Sequence, residues 1–134
     1  MKTSYQILII GTGGFVGATL RFIISTQVQQ LNKGLFFPWG TLSVNLLGCF
    51  LIGALFQLNE SLNIFSPEIK SFIFIGILGA LTTYSTFSND ALNLLTDERY
   101  LASFIYIAVH LIFGLFAVFA GRFFLRYLIP MLIP

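Results

Sequence analysis

Charge is scarce in this sequence. Only 9% of its 134 residues are Asp, Glu, Lys or Arg, against about a quarter in a soluble domain. No water-facing surface can be built from so few. Acids are scarcer still, and none occurs before Glu60. A single cysteine excludes a disulfide framework, and with only one histidine beside it there is no zinc-type Cys/His spacing. The Lys and Arg residues form no cluster that could track phosphates, which excludes nucleic acid as a partner. No nucleophile and base can be paired from what remains, so no enzymatic chemistry is expected. The abundant component is apolar: 57% of residues are hydrophobic, and 16 of them are Phe. That is the composition of a small integral membrane protein with one domain.

A helix crosses a bilayer with about 20 mostly apolar residues. Residues 3–20, 34–59, 71–89 and 100–121 carry no charge. They predict an all-α membrane protein with four spans, at about 5–24, 39–58, 71–95 and 101–127. The runs are continuous rather than alternating, which argues against a transmembrane barrel. Ser66-Pro67-Glu68 reads as a helix cap followed by Pro at the first helical position. Thr96-Asp97-Glu98 reads as a break with acids at the start of the next helix. No cleavage pattern follows the first span, so it is expected to be retained. Orientation should follow the Lys/Arg bias of the loops. Lys2, Lys70, Arg122 and Arg126 fall on one side, and Arg21, Lys33 and Arg99 on the other. With almost no bias, either a few terminal charges decide, or the chain inserts both ways up and opposite copies pair.

Small residues recur at helix-packing spacing: Gly13 with Gly17, Gly14 with Ala18, Gly76 with Ala80, then Gly48, Gly53, Gly114, Ala117 and Gly121. Four helices enclose little pore by themselves, so self-association is expected. Gly11, Gly14 and Gly17 after an apolar run also imitate a dinucleotide-binding turn. That turn requires a βαβ unit and an acid about 20 residues on. Gln29, Gln30 and Asn32 stand there instead, so the glycines are assigned to packing.

The third span is unusually polar. Thr82-Thr83-Tyr84-Ser85-Thr86-Phe87-Ser88-Asn89-Asp90 fills its second half. Back-bonding to carbonyls one turn earlier suits two or three such hydroxyls, not a continuous run. Gly79 and the adjacent β-branched Thr82 and Thr83 weaken the helix there. A broken membrane helix is tolerated where it lines a cavity or is buried in protein, and its free carbonyls can coordinate sodium. Tyr84 and Phe87, three apart, share a face, with Thr82, Ser85 or Thr86, and Asn89 as a neighbouring stripe. Ring edges carry partial positive charge and can face an anion, while hydroxyl and amide donors replace its water. Asn45 in the second span is either glue between helices or a pathway residue. Arg21 either snorkels to the interface or forms a positive collar at an anion vestibule. Tyr106 and His110 lie one turn apart in the fourth span, where a neutral, hydrogen-bonded His is favoured over a proton site. Cys49 is read as a packing residue and Trp39 as an interfacial aromatic.

Three stretches in order, Gly13–Arg21, Gly40–Gly48 and Gly79–Ser88, resemble the motifs of the CrcB/Fluc family of fluoride channels. The resemblance covers nearly the whole chain. It implies a dual-topology antiparallel homodimer in the cell (inner or plasma) membrane, with the third helix broken near its middle. It implies two narrow fluoride pores and a structural sodium ion at the dimer centre, held by backbone carbonyls of Gly79 and Thr82. Asn45 would be the pore amide, and Arg21 the vestibule charge. Tyr84 and Phe87 would be the pore aromatics, Thr83, Ser85 and Thr86 further donors, and Tyr106 and His110 the fourth-helix polar positions. The sequence departs from the family at Tyr84 (usually Phe), Ala80 (usually Gly), His110 (where a small hydroxyl residue is expected) and Asp90 (more usually Glu). Two other readings compete. A small dual-topology multidrug or cation transporter needs a membrane carboxylate, and Asp90 is the only acid near a span. A non-transporting assembly subunit would explain the glycines and not the hydroxyl run.

Overall fold

A computed structural model of the chain describes residues 2–34 and 37–132. Four long apolar helices account for nearly all of them, and no strand occurs among the described residues. The first helix is Lys2–Leu31, the second Trp39–Leu62 and the fourth Tyr100–Leu132. The third occupies residues 67–96 and is interrupted at Thr82 and Thr83. At 1.5 Å per residue the 30-residue first helix is about 45 Å long, enough to cross a hydrocarbon core of about 30 Å and enter the headgroup layer.

The helices run past the expected spans at most ends. The first continues beyond Ile24 because residues 25–31 contain no breaker and three glutamines, which are good helix formers. Gly34, at φ +96, closes the turn after it. The Ser66 hydroxyl accepts from the Ile69 amide at 3.3 Å, with Pro67 in the first turn, as the local sequence predicts. After Thr96 the acids form the turn itself rather than the next helix. Glu98 adopts the left-handed conformation at φ +61, its amide donates to the Leu95 carbonyl, and the Arg99 amide donates to the Leu94 carbonyl. This paired termination normally employs Gly at the left-handed position. Glu98→Gly should therefore raise stability by about 1 kcal/mol. A thermal midpoint in detergent that does not rise would contradict the assignment.

Close backbone approach sets the helix pairs. A side chain at Gly13 or Gly17 would collide with the carbonyl oxygen of Phe72 or Ile77, so the first helix lies directly on the third. Gly53 meets the Val118 carbonyl and Gly121 the Phe50 carbonyl, locking the second helix to the fourth. Gly14, by contrast, faces open space. Within the third helix, Ser71–Leu78 is π-helical, a wider coil in which amides bond five residues back. Gly76 of this stretch sits against Gly13. Past the interruption, Tyr84–Thr96 packs against the second and fourth helices. Ala91 and Leu94 join Leu42 and Tyr106 there in a buried core.

Candidate functional site

A helix that stops and restarts leaves carbonyls and amides without partners, and lipid cannot supply them. The chain is extended at Thr82 (φ −85, ψ 155) and Thr83 (φ −149, ψ 114). The Thr83 amide, which an unbroken helix would give to the Gly79 carbonyl, donates to Asn45 Oδ1 at 2.8 Å. The Thr83 carbonyl accepts from Asn45 Nδ2 at 3.1 Å. One side-chain amide on the second helix thus satisfies both backbone groups of Thr83. Gly48, one turn further along, lies against the Thr82 methyl and leaves it room. The Thr83 hydroxyl then caps the restarted helix. It accepts from the Thr86 amide at 3.2 Å, donates to Thr86 Oγ1 at 2.9 Å, and lies 3.3 Å from Ser85 Oγ.

Two cavities meet at Thr83. One, of about 360 Å³, is lined by Asn45, Gly79, Thr82, Thr83, Tyr84, Phe87 and His110. The other, of about 280 Å³, is lined by Arg21, Ser25, Thr41, Thr83 and Thr86. Arg21 therefore borders a cavity of the protein as well as its lipid-facing surface. In the first cavity, the Phe87 ring centroid is 4.4 Å from His110 and 5.6 Å from Tyr84, so the three-residue spacing does place both rings on one face. Tyr84 is 80% exposed, and Ser85 and Thr86 are exposed beside it. His110 Nε2 lies 3.3 Å from Asn45 Nδ2, and its Nδ1 lies 3.0 Å from the Tyr106 carbonyl.

The expected stripe of Thr82 with Ser85 or Thr86 and with Asn89 does not form. The extended residues rotate Thr82 out of register, and its hydroxyl donates back to the Leu78 carbonyl at 3.0 Å. Tyr106 is fully buried and lines neither cavity. Its hydroxyl donates to Asp90 Oδ2 at 3.2 Å, and the Thr41 hydroxyl donates to the same oxygen at 2.7 Å. This carboxylate anchor was not among the expected site residues. Its sequence signal is its position, one turn after Phe87 and the only acid near a span. Ser103 has no such signal; it is buried and donates to the Ala91 carbonyl at 2.8 Å. Among the described residues, no three His, Cys, Asp or Glu side chains gather. Gly79 and Thr82 line the first cavity.

Residues 8–122 match the family model described as CrcB-like protein, Camphor Resistance. The chain belongs to the CrcB family. Relatives of this CrcB chain include a protein of Shewanella woodyi named fluoride-specific ion channel FluC, 44% identical over 117 residues. The match covers 87% of this chain and 93% of the relative. A Methanosarcina acetivorans protein named fluoride-specific ion channel FluC 1 is 42% identical over 118 residues, 88% of each chain. With four spanning helices, this CrcB protein is a multi-pass membrane protein.

Proposed function

We propose that this chain is a fluoride-selective channel that exports the ion passively, down its gradient, and so limits fluoride toxicity. The observation that carries the reading is the cluster at the break. Neutral donors and aromatic rings, with no fixed charge among them, line a cavity beside Thr83. Fluoride is small and strongly hydrated, so its water must be replaced almost completely. The hydroxyls of Ser85 and Thr86 are donors within reach, the Thr83 hydroxyl and the Asn45 amide donate to an arriving ion by exchanging a present partner for it, and Tyr84 and Phe87 offer ring edges. Conduction requires several weak sites rather than one tight one, which neutral groups provide. Arg21 lies across Thr83 from the rings and supplies positive charge at the entrance.

The functional unit is an antiparallel homodimer of oppositely inserted copies in the cell membrane. Support comes from Tyr84, Ser85, Thr86, Ser88 and Asn89, all exposed on one copy. Ser88 and Thr86 bond within the third helix, but lipid would leave the Tyr84 phenol and the Asn89 amide without partners, at a cost of kcal/mol each. A second copy covers them. The residues present also fit a structural sodium ion, because the break turns the Thr83 amide away from the Gly79 carbonyl, and Thr82 is extended beside it. Gly79 and Thr82 would hold the ion with neutral oxygens, and it would supply a fixed positive charge at the dimer centre.

Purified protein in liposomes should release fluoride and retain chloride, as read by ion-selective electrodes. Equal release of both would remove the selectivity claim. Phe87→Ile should lower fluoride flux at least about tenfold, equivalent to about 1.4 kcal/mol of barrier. Unchanged flux would make Phe87 a packing residue. A tag at either terminus should be accessible from both faces of the membrane. A tag confined to one face would exclude dual topology.

A further inference from the structure

The chain has one histidine, and its two nitrogens have different partners. Nδ1 lies 3.0 Å from the Tyr106 carbonyl, which can only accept, so Nδ1 carries a hydrogen. In a neutral ring Nε2 is then the acceptor, and it faces Asn45 Nδ2 at 3.3 Å. That nitrogen has two hydrogens, and the second goes to the Thr83 carbonyl at 3.1 Å. Asn45 Oδ1 meanwhile accepts from the Thr83 amide at 2.8 Å. All the bonding of the Asn45 amide is thereby assigned. Flipped, it would set oxygen against the Thr83 carbonyl and against the bare Nε2, and nitrogen against the Thr83 amide. His110 therefore senses which way round Asn45 sits.

We propose that His110 is a positioning residue for the helix break. Its neutral ring, protonated on Nδ1, holds Asn45 in the orientation that clamps Thr83, and a proton bound at Nε2 releases the clamp, so that acid lowers flux. This rests on the reading that the break lies in the ion path. An imidazolium carries hydrogen on both nitrogens. Nε2–H would then oppose the Asn45 NH₂ group donor to donor. The two nitrogens would have to separate, and displacing Asn45 strains its bonds to the amide and carbonyl of Thr83 in a low-dielectric setting, where their loss is largest. The ionisable groups around the ring come from three helices. Tyr106 is on its own helix, its ring centroid at 4.4 Å. Asp90 and Tyr84 are on the third, with Asp90 bonded to Tyr106 and Tyr84 in the same cavity. Cys49 of the second helix lines that cavity too. Arg21 of the first helix lies in the neighbouring cavity beyond Thr83.

Because the histidine is single, protein labelled with ¹⁵N-histidine in lipid nanodiscs gives one pair of ring signals. At neutral pH the expected pattern is a hydrogen on Nδ1 and a bare Nε2; the opposite tautomer overturns the proposal. In liposomes, after subtraction of the leak of hydrogen fluoride through protein-free vesicles, wild-type flux should fall at least about threefold between pH 7.5 and pH 4.5. His110→Gln offers Asn45 an amide oxygen that does not titrate, so it should conduct without that pH dependence. A flat wild-type profile, or a His110→Gln profile as steep as the wild type, overturns the proposal. Failure of the underlying path reading shows separately, as unchanged flux in Asn45→Leu at neutral pH.

Discussion

Asn45→Leu should cut fluoride flux at least about a hundredfold, which is about 2.7 kcal/mol on the barrier. The reason lies in what the amide does. Its oxygen takes the Thr83 amide, and its nitrogen serves the Thr83 carbonyl and His110. Leucine fills a similar volume but offers none of these bonds. Each buried backbone group left unpaired costs about 1–3 kcal/mol. The chain can escape that cost by closing the break into continuous helix, which would turn Thr83 and the rings after it to new directions. Flux should be measured per monodisperse protein, so that lost protein is not counted as lost conduction. Wild-type flux in Asn45→Leu would reduce Asn45 to simple adhesion between helices.

Gly53→Leu should destabilise the protein by about 3 kcal/mol or more, the upper range for forcing atoms into a packed interior. Even the first added carbon would overlap the Val118 carbonyl oxygen. A backbone atom cannot swing aside as a side chain can, so the second and fourth helices must separate. The surface they form for Tyr84–Thr96 would be lost with their packing. Gly11→Ala is the useful contrast. Nothing lies within 4 Å of the added carbon, and the exchange favours helix by up to about 1 kcal/mol. Thermal unfolding in detergent, followed by loss of the monodisperse peak, should separate the two variants widely. Similar midpoints would show that the close approach at Gly53 contributes little.

Much of the architecture was legible because its causes are local. Charge-free runs locate the helices, and Ser66-Pro67 announces a start. Gly79 with Thr82 and Thr83 marks the weak point at which the third helix opens. The π-helical stretch Ser71–Leu78 was not legible. Its residues are ordinary membrane-helix residues, and the wider coil goes with backbone contact against Gly13 of another helix. The partners of Asn45 were equally out of reach, since Thr83 is 38 residues away and His110 is 65. A run of hydroxyls also looks uniform in sequence. Only the extended pair at the break separates Thr82, which bonds back to its own helix, from Thr83, which faces both cavities.

That shared wall has an electrical consequence. For an ion crossing between them, the two cavities are resistances in series, and Thr83 is the junction. Widening either compartment cannot raise the current beyond what the junction passes. A change of one hydroxyl at Thr83 should therefore register in unitary conductance more strongly than the same change at Ser85 or Thr86, each of which borders at most one compartment.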